Sequence, residues 1–166
     1  MRRIISILLE NEPGALSRIV GLFSQRAFNI ESLCVAETDE PTLSRITIST
    51  FGDDKVLEQI TKQVNKLVDV IKVADLTERP HIEREIVLVK VLAMNNVTRT
   101  EVKRIADIFR GDIVDVGKQI YTVQLTGDED KISSFIKVLN NETEIIEVVR
   151  SGTVGIARGE KALRAN

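Results

Sequence analysis

The apolar residues of this chain keep two different periods and alternate between them in the same order twice, which restricts the fold more than any other feature of the sequence. Ile4-Ile5-Ser6-Ile7-Leu8-Leu9 is a short, β-branched run that stops at Asn11-Glu12-Pro13-Gly14, the pattern of a buried strand entering a turn. Leu16, Ile19, Val20 and Phe23 then fall at i, i+3, i+4 and i+7, one stripe of an amphipathic helix expected to end near Ala27, with Pro13 suited to its first turn. Residues 30–36 and 45–51 are strand-like again, joined through Thr38-Asp39-Glu40-Pro41. Gly52-Asp53 offers an N-cap before the helical stripe Val56, Leu57, Ile60, Val64 and Leu67, and residues 68–73 form a fourth strand.

The polar, aperiodic stretch Leu76-Thr77-Glu78-Arg79-Pro80-His81 reads as a linker, after which the order begins again. Residues 86–92 are strand-like, Val102, Ile105, Ala106 and Phe109 mark a helix, and residues 112–116 and 119–126 form a hairpin turning at Gly117-Lys118. Ile132, Phe135, Ile136 and Leu139 carry the last helix, and residues 145–149 close the unit. The repeat is visible in letters where Gly52-Asp53-Asp54-Lys55-Val56 corresponds to Gly127-Asp128-Glu129-Asp130-Lys131-Ile132. The expected fold is α+β, two ferredoxin-like βαββαβ units, each an antiparallel sheet with both helices on one face. The expected division is residues 1–76, a linker at 77–82, and 83–166 with a basic tail of Arg150, Arg158, Lys161 and Arg164. Units this small bury only about 60% of their unfolded surface, so the open sheet face or edge needs a cover, and a homodimer is the simplest closed solution.

Composition excludes several classes of function. With 43% apolar and 29% charged residues the chain is globular, and a formal charge of -2 with interspersed signs leaves no electrostatic footprint for nucleic acid or an anionic membrane. No apolar run approaches the ~20 residues that cross a bilayer. One cysteine, Cys34, rules out an internal disulfide, and Met1-Arg2-Arg3 leads straight into a strand, so the cytoplasm is the expected compartment.

Catalytic and metal-binding sets are not found. The single histidine, His81, sits in the linker without a cysteine or second histidine beside it, and Cys34 reads as a small apolar strand residue. Phosphate-binding glycine loops are absent, and the acidic pairs at Asp53 and Asp128 belong at helix starts, where the dipole favours them. The layout also serves RNA-binding domains, but residues 44–51 hold one aromatic and lack the basic stacking pattern that such domains need. Catalytic residues: none are expected.

The loop Asn11-Glu12-Pro13-Gly14-Ala15-Leu16 remains. Gly14 has no Cβ, so a ligand can approach amides at a helix N-terminus, where a carboxylate is stabilised; taken alone, the same residues are also an ordinary turn. The wider strings decide more. Residues 8–19, 22–33 and 39–45, with Glu83-Arg84-Glu85, Phe109-Arg110-Gly111 and Val149-Arg150-Ser151-Gly152, resemble the small subunits of acetolactate synthase over nearly the whole chain, the first half resembling their ACT domain. One departure is Ala27, where that family usually has a glycine.

The resemblance implies a regulatory chain without catalysis of its own. It implies ACT domains paired side by side through residues 30–36, with an amino-acid effector at the seam between Asn11, Gly14, Ala15 and Leu16 of one chain and Asn29 and Ile30 of the other. The implied effector is valine, with leucine and isoleucine as alternatives, and the implied partner is the catalytic large subunit. That partner would carry thiamine diphosphate, magnesium and FAD, none of which has a binding motif here. A stand-alone ACT-type regulator of some other target is the alternative.

Overall fold

The computed structural model describes residues 1–166. The first βαββαβ unit contains β1 (Arg2–Glu10), α1 (Ala15–Gln25), β2 (Ser32–Glu37), β3 (Leu43–Phe51), α2 (Asp54–Val64) and β4 (Val70–Asp75). Its strands lie in the order β2-β3-β1-β4, every neighbouring pair antiparallel, so β1 is central and β2 and β4 are edges. Successive strand residues point to opposite faces. Ile5, Ile7 and Leu9 of β1 accordingly join Ile46 and Ile48 of β3 against Ala15, Ile19 and Phe23 of α1 and Leu57, Ile60 and Val64 of α2. Burying each of the larger of these side chains contributes about 1.5–3 kcal/mol.

The second unit repeats the layout with β5 (His81–Leu92), α3 (Asn96–Ile108), β6 (Asp112–Val116), β7 (Ile120–Gly127), α4 (Glu129–Glu142) and β8 (Ile145–Arg150). Its order β6-β7-β5-β8 is the same permutation as in the first unit. Val87, Val89 and Val91 of β5 meet Val102, Ile105 and Ala106 of α3 and Ile132, Phe135 and Leu139 of α4. α2 and α4 both start on the expected aspartates, Asp53 accepting from the Val56 amide and Asp128 from the Lys131 amide.

Several expectations require correction. The compact units are Met1–Ile82 with Thr153–Asn166, and Glu83–Gly152, so the tail returns to the first unit instead of closing the second. A further strand, β9 (Val154–Ala157), pairs with β5, and the Arg158 amide donates to the Pro80 carbonyl. The last linker residues therefore already belong to β5, where His81 begins the strand.

The buried stripe of α1 is Ala15, Ile19 and Phe23, whereas Leu16 and Val20 remain more than a third exposed. Pro13 lies in the turn before α1 and not within its first turn, because Gly14 is the N-cap, with φ 87°.

The tail explains why β1 is apolar on both faces. Ile4, Ser6 and Leu8 point away from the helices and are still buried, as are Thr47 and Ser49 of β3 on the same face. Arg45, half-buried on that face, donates to Ser6 Oγ at 2.8 Å and to the Gly155 carbonyl at 3.0 Å. The Thr153 amide reaches Ser32 Oγ, and Arg2 donates to Thr153 Oγ1 at 3.2 Å. A Cβ at Gly155 would stand 2.8 Å from Leu76 Cδ1, so the backbone lies close against the sheet there.

Both first helices of the repeats end alike. Ala27 (φ 56°) and Arg110 (φ 59°) are the two non-glycine residues with positive φ. After α1, the Ala27 amide donates to the Ser24 carbonyl and the Phe28 amide to that of Phe23, the paired bonds of a Schellman cap. The Phe23 and Phe28 rings meet edge to face at 6.1 Å across this cap. After α3, Arg110 and Gly111 donate in the same way to Asp107 and Ala106.

Candidate functional site

Asn11 follows the end of β1 and is fixed from three directions. Its amide donates to the Thr42 carbonyl at 2.8 Å, and its side-chain Nδ2 donates to Glu37 Oε1 at 3.1 Å and to the Pro41 carbonyl at 3.0 Å. Both side-chain partners can only accept, so the amide orientation follows from the bonds themselves. The Nδ2 group is occupied by these two bonds, and Oδ1 is the acceptor atom of the side chain.

Gly14 then turns the chain into α1 through the left-handed region. α1 is the one helix of four with no side-chain cap, since α2, α3 and α4 are capped by Asp53, Asn95 and Asp128. Ala15 is buried in the core and its amide donates to the Glu12 carbonyl, while the apolar side chain of Leu16 stands partly exposed at the same helix end.

Arg18, one turn further along α1, forms a bidentate pair with Asp69, Nε to Oδ2 at 2.5 Å and Nη2 to Oδ1 at 2.9 Å. Asp69 is buried just before β4, and its carbonyl accepts from the Glu10 amide at 2.8 Å. The guanidinium holds the Asp69 carboxyl below the usual aspartate range.

Asn29 and Ile30 lie elsewhere. Both precede β2, which begins at Ser32 and not at residue 30, because the Schellman cap carries the chain through Phe28 before it can extend. The Asn29 carbonyl accepts from Thr50 Oγ1, the Asn29 side chain is exposed, and Ile30 packs against the edge of the core. Asn11 bonds to Thr42 and Asn29 to Thr50, next to or at opposite ends of β3, so roughly 25 Å of strand separates them at 3.4 Å per residue. One chain therefore brings Asn11, Gly14, Ala15 and Leu16 together but leaves Asn29 and Ile30 at the far end of the sheet.

Glu37, Arg18 and Asp69 were not among the residues singled out by sequence. Asp69 carried a signal, a carboxylate inside the apolar run Val68-Asp69-Val70-Ile71, where an unpaired charge would be costly. Arg18 carried none, since a basic residue off the apolar stripe reads as a solvated helix face. Nowhere do three or more His, Cys, Asp or Glu side chains gather as a metal would require, and no helix is long and apolar enough to cross a membrane.

Comparison with known proteins agrees with this layout. Residues 5–72 match the family model described as an AHAS small subunit-like ACT domain, and residues 84–159 match the one described as the small subunit of acetolactate synthase. The acetolactate synthase small subunit of Haemophilus influenzae is 64% identical over 161 residues, covering 97% of this chain and 98% of that protein. The isozyme 3 small subunit of Escherichia coli is 58% identical over 164 residues, covering 99% of this chain and 100% of that one. The crystal structure of the acetolactate synthase small subunit from Thermotoga maritima superimposes with a TM-score of 0.86 at 37% identity, over 97% of this chain and 99% of that one. With two family models that together span most of its length and relatives this similar over nearly all of it, the chain belongs to the acetolactate synthase small-subunit family.

Proposed function

We propose that this chain is the regulatory subunit of a cytoplasmic acetolactate synthase, stimulating a catalytic large subunit and conferring feedback inhibition by valine through a site shared by two copies of its first unit. The observation that carries the site is the placement of Asn11 and Asn29 at opposite ends of one sheet. β2 is a free edge of that sheet. Two identical edges related by a two-fold axis across them pair antiparallel, which sets the start of one β2 against the end of the other. Asn29 and Ile30 of one copy then face Asn11, Gly14, Ala15 and Leu16 of its partner.

The polarity of the ligand follows from the groups present. The uncapped N-terminus of α1 favours a carboxylate. Asn11 Oδ1 and the neighbouring Glu37 carboxylate favour an ammonium group. Leu16 offers a partly exposed apolar surface to an aliphatic side chain. A zwitterion with a short branched chain satisfies all three, with valine preferred over leucine and isoleucine in this reading. Thiamine diphosphate, magnesium and FAD belong to the catalytic partner and to the chemistry it performs.

A ligand at such a seam regulates only by binding one arrangement of the complex better than another, and a 100-fold preference corresponds to about 2.7 kcal/mol. Calorimetric titration of the purified chain with each common amino acid, followed by assay with the large subunit, tests the reading. Saturable valine binding and valine-sensitive stimulation are expected, and a chain that stimulates but binds no amino acid would overturn the sensing role.

Gly14→Asp should abolish the valine response. It forces an L side chain to φ 87° and sets a negative charge where the carboxylate belongs. Asn29→Ala should weaken the response and leave stimulation intact. Normal inhibition of the Gly14→Asp complex would show that the effector binds elsewhere.

A further inference from the structure

The Arg18–Asp69 pair ties three separate elements together at the effector loop. Arg18 projects from the first full turn of α1, and Asp69 immediately precedes β4. Through its carbonyl, Asp69 also holds the Glu10 amide, the last residue of β1 before the loop begins. Two atoms of the guanidinium are engaged by Asp69, and the third, Nη1, lies against Gly14, where an added Cβ would stand 2.9 Å from it. The guanidinium thus bridges from β4 across the N-cap of α1. The bidentate fork fixes the plane of the group as well as its distance, which a lysine ammonium could not do. Asp69 is nearly inaccessible to water while Arg18 is 45% exposed, so the buried partner anchors and the accessible partner reaches outward.

We propose that Arg18, anchored by Asp69, is a positioning residue for amino-acid sensing, seating Gly14 and the first amides of α1 where the effector carboxylate is received. This rests on the seam site described under the proposed function and adds to it a pair of residues outside the Asn11–Leu16 loop. Losing the pair frees the loop to adopt other arrangements, and affinity falls in proportion to the fraction that remains competent. The two residues act as one device, so removing either should cost as much as removing both.

The test is a double-mutant cycle on the full chain with Arg18→Gln, Asp69→Asn and the double variant. Valine affinity is measured by calorimetry, and stimulation of the large subunit and the thermal midpoint are measured alongside. Each single variant is expected to bind valine about tenfold more weakly, the double variant no more weakly than either, with stimulation retained. Arg18→Lys should recover only part of the loss. Valine affinity within twofold of the unsubstituted chain in Arg18→Gln would overturn the positioning role, as would additive losses in the double variant. If a variant loses stimulation together with affinity, the pair supports the fold as a whole and the proposal also fails. Failure of the unsubstituted chain to bind valine would instead overturn the seam site, and this role with it.

Discussion

Ala27 carries a conformational cost that can be read off one dihedral. An L residue in the left-handed region is disfavoured by about 1–2 kcal/mol, and glycine escapes that penalty while giving some back through its freer unfolded chain. Ala27 is exposed at φ 56°, so a glycine there meets no packing constraint. Ala27→Gly should therefore stabilise the first unit by about 0.5–1 kcal/mol, read as a rise of a few degrees in its thermal midpoint. The sequence flagged this position as the departure from the family, and the structure keeps the glycine-type cap regardless, because the Phe23–Phe28 contact and two backbone bonds hold it. Asp69 makes a prediction of opposite character. Its folded pKa is depressed, so its contribution is present above the ordinary aspartate value of about 3.9 and is lost as pH falls through the lower folded value. Acid unfolding curves of Asp69→Asn should be flatter than those of the unsubstituted chain over that range, and superimposable curves would deny the linkage.

At the level of elements, the alternating periods are sufficient to place the eight strands and four helices of the two βαββαβ units in sequence, since period 2 and period 3.6 are local properties of the chain. Asp53 and Asp128 were legible as caps for the same reason, as each acts on an amide three residues away. Asp128→Ala should accordingly cost about 1 kcal/mol and lower the stability of the second unit without altering the valine response. What was hidden depends on distant partners. The buried stripe of α1 keeps Ile19 and Phe23 but takes Ala15 in place of Leu16, because both satisfy the helical period and only the packing selects Ala15. β9 is four residues long and contains a glycine, so no local pattern distinguishes it from a loop. The Arg18–Asp69 pair joins residues 51 apart and has no signature in either neighbourhood. The resemblance supplied Asn29 and Ile30, which lie at the far end of the sheet from Asn11, so the proposed site takes them from a second copy.

On the scale of the whole chain, the division of residues between units predicts where damage will be felt. Removing residues 153–166 takes Gly155 from Arg45 and Thr153 from Arg2, and it uncovers the outer face of β1 and β3. A loss of about 2–4 kcal/mol is expected from these hydrogen bonds and the exposed apolar area. It should appear as faster amide exchange in β1 and β3 while α3 and α4 keep their protection. Equal loss in both units, or loss confined to the second, would contradict the division. The second unit has its own distinguishing feature, because the Ile86 amide donates to Ser151 Oγ at 3.0 Å and the Ser151 amide to the Ile86 carbonyl at 3.0 Å. The chain thus enters and leaves this unit side by side. A block of chain that begins and ends at one point can be exchanged between relatives, shortened to a hairpin or omitted without rethreading the strands that flank it, so the junction beside Ile86 and Ser151 is the natural crossover for recombining small subunits.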